Sequence, residues 1–308
     1  MANNSGAFTE AQVIAALKEI FATTDPRIVI GIGDDAAVVS GSERQILTTD
    51  MAVEGVHFRT DWSTAFEIGR KVTAANCADV LAMCGTTDYL LVAVALTGSE
   101  SMPWISDLAR GIKYEADLAG ALVVGGDISR AKSVVITITA VGSTVKAIAR
   151  NGAKVGDGIY LSSLTGWSAA GLAIMESKIT AATDAHTVAV REYKNPTIDY
   201  KFSASGATSM SDVSDALVIQ ARQMADSSKV AFKFDLSKIQ ACSEFIELQR
   251  LSSAMGIDVW KWFFAGGEDH VLLATGLDLP GILIGEVIAG AGIQNVPIEV
   301  ENSAWRHF

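Results

Sequence analysis

The chain has 308 residues, of which 49% are hydrophobic, and it carries a formal net charge of −11 at pH 7. A chain of this length and composition can bury a sizeable core and is long enough for two domains. The negative charge argues against nucleic acid as a partner, because phosphate backbones are bound through clustered Lys and Arg.

The cysteine content and the apolar runs bear on where the protein works. Cys77, Cys84 and Cys242 are the three cysteines, and they show no CxxC spacing. This pattern favours a reducing cytoplasm over a disulfide framework, and we expect Cys77 and Cys84 to be packing residues in a helix. The first residues, MANNSGAFTE, lack the features of a signal peptide. Apolar runs such as LLVAVAL fall far short of the ~20 residues of a membrane helix. We therefore expect a cytoplasmic protein without a membrane partner.

Helical and strand patterns alternate in the first half of the chain. Two capping-box patterns, Thr9 with Gln12 and Thr64 with Glu67, each precede a stretch of helical periodicity. Helices are predicted over 11–21, over 64–84 and from Pro103 at a helix start to about Gly120. Strands are predicted for RIVIGIGDD, QILTTDMAV, DYLLVAVAL, ALVVGGD and SVVITITAVG. This mixture predicts an α/β or α+β fold.

The second half begins near RNGAKVGDGIYLSS, which predicts a glycine turn followed by a strand. Helices are predicted over 167–176, 184–194 and 212–226. Further strands are predicted for VAFKFDL, FFAGGEDHVLLAT and GILIGEVIAG. No linker rich in Pro, Ser or Gly separates the halves, and we place the domain boundary near residue 150, giving domains 1–150 and 151–308.

Several acidic residues follow apolar runs that are typical of strands. Asp34 and Asp35 follow IVIGIG, Asp50 follows ILTT, and Asp127 follows LVVGG. We expect each to lie at the end of a strand, where ligand sites are commonly built because side chains converge on a rigid frame. Any one of these acids has an ordinary interpretation as a solvated surface residue. Their shared setting in one chain weakens that interpretation.

Two further polar pairs are spaced for helices. Asn76 and Asp79 are three residues apart and would share one helical face, and Asp212 and Asp215 have the same spacing and would open a helix. The ordinary interpretation of the second pair is capping. Carboxylates and hydroxyls are the ligands that Mg²⁺ prefers, and Mg²⁺ bridges protein acids to substrate phosphates. Because the sequence has no GxxxxGK[ST], HRD or DFG motif, phosphoryl transfer here would depend on metal ions.

Seven motifs occur in one order along the chain: GIGDDAAVV, LTTDMAVEGVHF, KVTAANCADVLAMCG, VVGGDISR, RNGAKVGD, SDVSDAL and AGGEDH. Together they resemble the thiamine-monophosphate kinase family of the aminoimidazole-ribonucleotide synthetase superfamily. The likeness extends from near Ile28 to the C-terminal WRHF. The resemblance implies transfer of the γ-phosphoryl group of ATP to thiamine monophosphate, giving thiamine diphosphate, with several Mg²⁺ ions. Because the sequence shows no obvious Ser–His–Asp or Cys–His pairing for a covalent intermediate, we expect direct transfer.

The resemblance also implies an architecture. The N-terminal domain, 1–150, would bind metal and nucleotide and would pair with its twin in a homodimer, the strands of both copies forming one β-barrel. The C-terminal α/β domain, 151–308, would complete each active site.

Matched position by position, the resemblance implies three sets of site residues. The metal-binding positions correspond to Asp35, Thr48, Thr49, Asp50, Asp79, Asp127, Asp212 and Asp215. The ATP contacts correspond to Gly126, Asp127, Arg150 and Ser214. The thiamine monophosphate contacts correspond to His57, Glu268 and Trp305. No general base is assigned, because the accepting phosphate oxygen is already anionic at neutral pH. The ordinary alternatives are a structural role for His57, a surface charge for Arg150 and packing for Trp305.

The chain departs from the family pattern at a few positions. Ser211 and Ala216 stand where the family usually has an apolar residue and a glycine, and Val155 replaces a common proline. YKNPTIDYK lacks the Arg that usually ends this stretch.

Two other classes of function remain open from the sequence. One is another synthetase of the superfamily, although a selenophosphate synthetase usually needs a reactive Cys or selenocysteine and a Lys near its N-terminus, whereas the first here are Cys77 and Lys18. The motifs EGVHF and GGED favour thiamine phosphate over aminoimidazole ribonucleotide chemistry. The other is a non-catalytic protein that binds Mg-nucleotide, which a turnover assay would distinguish.

Overall fold

The computed structural model describes residues 9–32, 36–177, 183–202, 204–297 and 300. The chain divides into two compact units. Unit 1 comprises Met1–Val80 and Thr86–Ser143, and unit 2 comprises Leu81–Gly85 and Thr144–Phe308. Both contain helices and strands, which confirms the mixed α/β class; the functional division into 1–150 and 151–308 stays a prediction. Within the described ranges, no helix has the length and apolar character needed to cross a bilayer.

The elements of unit 1 are α1 (Glu10–Ile20), β1 (Ile28–Ile30), β2 (Val38–Val39), β3 (Gln45–Val53), α2 (Ala65–Ala82), β4 (Thr86–Leu96), α3 (Met102–Ala119), β5 (Leu122–Arg130) and β6 (Val135–Ser143). Four of the strands form one sheet with the order β3-β6-β4-β5. In this sheet only β4 and β5 run parallel to each other; the other neighbours are antiparallel. A separate pair, β1 and β2, is antiparallel.

One face of this sheet is covered and the other is partly open. Along β6, Ile136, Ile138 and Ala140 are buried, whereas the alternating residues are only partly buried. The helices α2 and α3 lie on the covered face and approach each other closely at Gly69 and Gly111. A Cβ atom at either glycine would overlap the backbone of the other helix, so only glycine permits this distance.

The helix ends follow the predicted signals. Thr9 and Gln12 form both hydrogen bonds of a capping box at α1. Thr64 N donates to Glu67 Oε2 at 2.8 Å, and Glu67 N donates to Thr64 Oγ1 at 3.2 Å, so the second box is also confirmed. Gly120 ends α3 in the left-handed conformation, with φ of +78°.

The elements of unit 2 are β7 (Gly158–Leu161), α4 (Trp167–Ser177), α5 (Asp184–Lys194), β8 (Ser209–Val213), α6 (Leu217–Ser228), β9 (Ala231–Phe234), α7 (Leu236–Ala241), α8 (Ser243–Met255), α9 (Val259–Ala265), β10 (Val271–Gly276), β11 (Ile282–Ile288) and β12 (Gly292–Gln294). The strands form a six-stranded sheet with the order β12-β9-β11-β7-β10-β8, antiparallel except between β12 and β9. The core of unit 2 contains the fully buried rings of Phe234, Phe245, Phe263 and Phe264.

Two element predictions in unit 2 were wrong at their N-terminal ends. The helix predicted over 212–226 begins at Leu217, because Ser209–Val213 is a wholly buried strand paired with β10. Asp212 therefore lies in a strand, and Asp215 precedes the helix without capping it, since Ala216 is the N-cap and has no side-chain bond. The strand predicted for FFAGGEDHVLLAT begins only at Val271, because its phenylalanines belong to α9.

Candidate active site

In unit 1, polar residues of β3 meet one face of α2. Thr48 Oγ1 donates to Asp79 Oδ2 at 2.7 Å. The backbone N–H of Asp50 donates to Asn76 Oδ1 at 3.1 Å. The prediction that Asn76 and Asp79 share a helical face is therefore confirmed, and that face lies against β3.

Asp50 and Asp127 do not lie at strand ends, so that expectation was wrong. Each is the sixth of nine residues in its strand, β3 or β5. The strands continue because pairing continues: Val53 pairs with Val135, and Arg130 pairs with Leu96. Both aspartates are exposed all the same, since β3 and β5 are the two outer strands of the sheet.

The sheet separates these two aspartates. Asp50 pairs with Ile138, Ile138 with Val92, and Val92 with Gly126, which forms one row across the four strands. Three interstrand spacings amount to about 14 Å. Because side chains alternate along a strand, Asp127 shares the open face with Thr49, whereas Thr48 and Asp50 point to the face covered by α2. Unit 1 therefore presents two separate groups of carboxylate and hydroxyl oxygens.

Thr49 and Gly126 also have structural roles. Thr49 Oγ1 donates to the carbonyl of Ile138 at 3.0 Å and lies 3.1 Å from Thr139 Oγ1. A Cβ at Gly126 would overlap the carbonyl oxygen of Val92 on β4. A glycine is therefore required here by the close approach of β5 to β4, whatever else this position contacts.

The residues of unit 1 suit Mg²⁺ by their chemistry. Carboxylates and hydroxyls are hard oxygen ligands, and Mg²⁺ in substrate sites takes one or two carboxylates and keeps several waters. Among the described residues, no three His, Cys, Asp or Glu side chains gather around one point. Asp34 and Asp35 lie outside the described residues. The donor set thus fits a hard cation such as Mg²⁺ by its chemistry.

His57 lies in the turn after β3, where its ring is oriented by the backbone. Val53 N donates to His57 Nδ1 at 3.0 Å, and His57 N donates to the carbonyl of Val53 at 3.0 Å. Because Nδ1 accepts this bond it carries no hydrogen, so in the neutral ring the proton is on Nε2. The arrangement makes Nε2–H a hydrogen-bond donor suited to an anion.

In unit 2, two segments that carry predicted site residues meet. Residues 212–216 include the last two residues of the edge strand β8 and the turn after it, and residues 266–270 connect α9 with β10. Glu268 N donates to the carbonyl of Ser214 at 2.6 Å, and His270 N donates to that of Val213 at 2.9 Å. A Cβ at Gly267 would overlap the carbonyl of Asp215, so glycine permits the contact. Ser214, Asp215 and Glu268 are thereby brought together.

Asp212 supplies a buried carboxylate oxygen at this junction. Its side chain is 3% exposed. Within the described part of the chain, Asp212 Oδ2 accepts no hydrogen bond, and His270 Nδ1 lies 3.5 Å away. A buried carboxylate oxygen in this state favours a cation as its partner. The metal-binding role of Asp212 stays a prediction.

The departure at Ala216 has no conformational cost. Its φ is −176°, an extended conformation that any residue adopts. Gln220 spans the turn: its Oε1 accepts from Ala216 N at 3.1 Å and its Nε2 lies 3.5 Å from Ser214 Oγ. The departure at Ser211 is also accommodated, because its buried hydroxyl donates to the carbonyl of Asp212 at 3.0 Å.

Two residues at this junction were missed by reasoning from the sequence, although both follow Glu268 in the GGEDH motif. One is His270, which faces Asp212. The other is Asp269, whose Oδ2 accepts from Gly166 N at 2.7 Å and whose Oδ1 accepts from Ser168 N at 2.9 Å. Burial raises the pKa of Asp269 to about 7, against the lowering effect of the two backbone N–H groups.

Two predicted residues remain, Arg150 and Trp305. Arg150 is exposed, and its Nη1 donates to Gln223 Oε1 at 2.8 Å, so the guanidinium lies beside α6. Trp305 lies outside the described residues.

Comparison with known proteins identifies the class to which this fold belongs. Residues 33–144 match the family described as AIR synthase related protein, N-terminal domain. The thiamine-monophosphate kinase of Corynebacterium glutamicum is 36% identical over 257 residues, covering 79% of this chain and 76% of that protein. The chain belongs to the thiamine-monophosphate kinase family.

Solved structures agree with this membership. The thiamine-monophosphate kinase of Stenotrophomonas maltophilia K279a matches with a TM-score of 0.78 and 26% identity, over 92% of this chain and 94% of that one. AaThiL complexed with AMPPCP and TMP matches with a TM-score of 0.77 and 27% identity, over 97% of both chains.

Proposed function

We propose that this protein transfers the γ-phosphoryl group of ATP to thiamine monophosphate and releases thiamine diphosphate and ADP. The observation that carries the proposal is the likeness to AaThiL, which was solved with AMPPCP and TMP and which matches 97% of this chain. AMPPCP is ATP with a methylene group in place of the bridging β,γ oxygen. A protein that holds it together with a phosphate acceptor is arranged for phosphoryl transfer.

The test is a product assay. The purified protein is incubated with ATP, Mg²⁺ and thiamine monophosphate, and the products are separated by ion-exchange chromatography. Thiamine diphosphate and ADP are expected in equal amounts. Nucleotide binding without thiamine diphosphate would refute the kinase and support a non-catalytic nucleotide-binding protein.

The carboxylates and threonines of unit 1 would hold Mg²⁺ through Asp35, Thr48, Thr49, Asp50, Asp79 and Asp127, and Asp212 and Asp215 would do so in unit 2. When bound, Mg²⁺ neutralises charge on the two anionic phosphates that must approach each other. The protein itself contributes by holding the metal-binding side chains in position. Asp79 is oriented by the hydroxyl of Thr48, and β3 is tied to α2 by the bond from Asp50 to Asn76. Rigid elements of this kind keep the reacting groups aligned.

On the nucleotide side we assign Gly126, Asp127, Arg150 and Ser214. Exposure of the Arg150 guanidinium supports this role, because an exposed planar fork can bind phosphate oxygens in pairs. On the acceptor side we assign His57, Glu268 and Trp305. The orientation of His57 supports this role, because a fixed Nε2–H can donate to the thiamine phosphate.

A homodimer is part of the proposal, with strands of unit 1 from both copies forming a shared barrel. Among the described strands, β3 pairs only with β6, so one edge of β3 remains for another chain. Leu47 and Met51 are 67% and 59% exposed on its open face, and apolar side chains on an open edge strand favour association. A cytoplasmic location, also proposed, is supported by three free cysteines.

Met51→Lys is expected to convert the dimer to a monomer, because it places a charge on the apolar part of the open face. Sedimentation equilibrium gives the mass of the wild type and the variant. The matched control is Leu277→Lys, a change at an exposed leucine of unit 2 that should leave the mass unchanged. A variant that remains a dimer would contradict association through this face.

Trp305→Ala is expected to raise the KM for thiamine monophosphate about twofold to thirtyfold. An indole stacked on the heterocycle, whose thiazolium carries positive charge, contributes roughly 0.5–2 kcal/mol, and tenfold corresponds to about 1.36 kcal/mol. The KM for ATP should stay nearly unchanged. Steady-state kinetics decide the assignment: a selective defect for ATP would place Trp305 at the nucleotide, and no defect for either substrate would make it a packing residue.

A further inference from the structure

The segment 266–270 has a backbone that its own residues do not favour. Glu268 and His270 both have positive φ, +62° and +52°, although neither is glycine. Side chains other than glycine rarely adopt this left-handed conformation, and each such residue costs free energy that surrounding contacts must offset. Two backbone bonds, to the carbonyls of Ser214 and Val213, hold the segment from the side of β8.

Asp269 ties the same segment to a second element, the start of α4. Its side chain is 5% exposed, and each carboxylate oxygen accepts one backbone N–H at the start of α4, from Gly166 at 2.7 Å and from Ser168 at 2.9 Å. The first N–H groups of a helix have no partner within the helix, and a carboxylate is the group that satisfies them best. Both oxygens are therefore used inside the protein, and neither is directed at a ligand.

Glu268 takes part in the first set of contacts and is the neighbour of the residue that makes the second. Its own N–H is bonded to Ser214, and the next residue is tied to α4. We propose that Asp269 is a positioning residue that fixes the left-handed backbone of Glu268 and so aims its carboxylate at the acceptor substrate. This inference rests on the proposed function, since it takes Glu268 as a contact of thiamine monophosphate.

The geometry requires two acceptor oxygens at this position. An asparagine has nearly the same shape but only one acceptor oxygen, so its NH₂ group would face one of the two N–H donors. Asp269→Asn thus leaves one buried N–H group unsatisfied and loosens one of the two ties. Because small displacements of a positioning group lower rates steeply, kcat/KM for thiamine monophosphate should fall about tenfold or more, with the KM for ATP within about twofold of wild type.

A double-mutant cycle separates positioning from a general structural role. Glu268→Gln, Asp269→Asn and the double variant are compared by kcat/KM for thiamine monophosphate at saturating ATP. If Asp269 acts through Glu268, then adding Asp269→Asn to the Glu268→Gln variant should change kcat/KM for thiamine monophosphate by less than about twofold. An equal loss in both backgrounds would overturn the proposal.

Asp157→Asn is the matched control. Asp157 is also 5% exposed and also accepts a backbone N–H, from Lys154 at 2.8 Å, together with the hydroxyl of Thr208 at 2.5 Å. It lies beside the opposite end of β10, where Gly158 pairs with Gly276. The factor by which Asp157→Asn changes kcat/KM should therefore be the same with and without Glu268→Gln.

A second variant keeps the test decisive if Asp269→Asn does not fold. Ser168→Pro removes the N–H that donates to Asp269 Oδ1, at the second residue of α4, and α3 accepts Pro103 at the same helical position. The same non-additive result with Glu268→Gln is expected, and additivity would overturn the proposal. If the wild type forms no thiamine diphosphate at all, the proposed function fails. If it forms the product and the cycle is additive, only the role of Asp269 fails.

Discussion

Asp50→Asn is expected to lower kcat/KM at least about a hundredfold while the protein stays folded. Its carboxylate is exposed on an outer strand, and the bond that ties β3 to α2 uses the backbone N–H of Asp50, which the substitution keeps. An amide of the same shape therefore leaves the packing intact but binds Mg²⁺ more weakly. Loss of one preorganised group that stabilises transition-state charge typically costs about 10²–10³ in rate.

Steady-state kinetics and thermal unfolding check this expectation together. The matched control is Asp107→Asn, on the exposed side of α3 in the same unit, where the carboxylate pairs only locally with Arg110 at 2.6 Å. That variant should keep wild-type kcat and KM. An unchanged kcat in Asp50→Asn would remove Asp50 from the metal-binding set, and a large loss of stability would make it a structural residue.

The parts of the site that follow a local period were predictable from the sequence. Asn76 and Asp79 are three residues apart, and this spacing places them on one face of any helix, here the face against β3. The capping boxes at Thr9 and Thr64 are local in the same sense, because donor and acceptor lie within one turn.

The arrangement of Asp50 and Asp127 was not predictable in the same way. Their similar sequence settings suggested two equivalent strand ends, whereas they lie on opposite outer strands and on opposite faces of one sheet. That separation depends on the strand order β3-β6-β4-β5, in which β6 inserts between β3 and β4. Pairing between strands far apart in sequence decides it, and a local pattern carries no information on such pairing.

In α9, core packing and an N-terminal cap override the strand propensity of the residues in its C-terminal half. Trp262, Phe263 and Phe264 favour strands by residue type. However, Asp258 caps the helix by accepting from Trp260 N at 3.1 Å, and the rings of Phe263 and Phe264 pack edge to face at 4.8 Å in the core. The helix then ends before the 266–270 segment, whose left-handed residues no propensity scale would place there.

Chelation is expected to abolish activity completely, and added Mg²⁺ is expected to restore it. Two phosphate groups, each anionic at neutral pH, must approach within bonding distance during direct transfer. The protein adds to this repulsion rather than relieving it, because its formal net charge is −11 and six of the eight predicted metal-binding residues are aspartates. At 4 Å, two unit charges repel by about 4 kcal/mol at an effective dielectric constant of 20, and the phosphates carry more than one charge each.

The measurement is turnover after treatment with EDTA and desalting, followed by titration with MgCl₂. A parallel titration with NaCl at equal ionic strength is the control, since screening alone would act over the whole surface and would restore activity in both series. Recovery with MgCl₂ only indicates bound ions, and Asp50→Asn should then need a higher MgCl₂ concentration for half-maximal activity than the wild type. Full activity in the desalted, metal-free protein would mean that Arg150 and the backbone alone stabilise the transferring phosphoryl group, and the metal-binding role of all eight aspartates and threonines would have to be withdrawn.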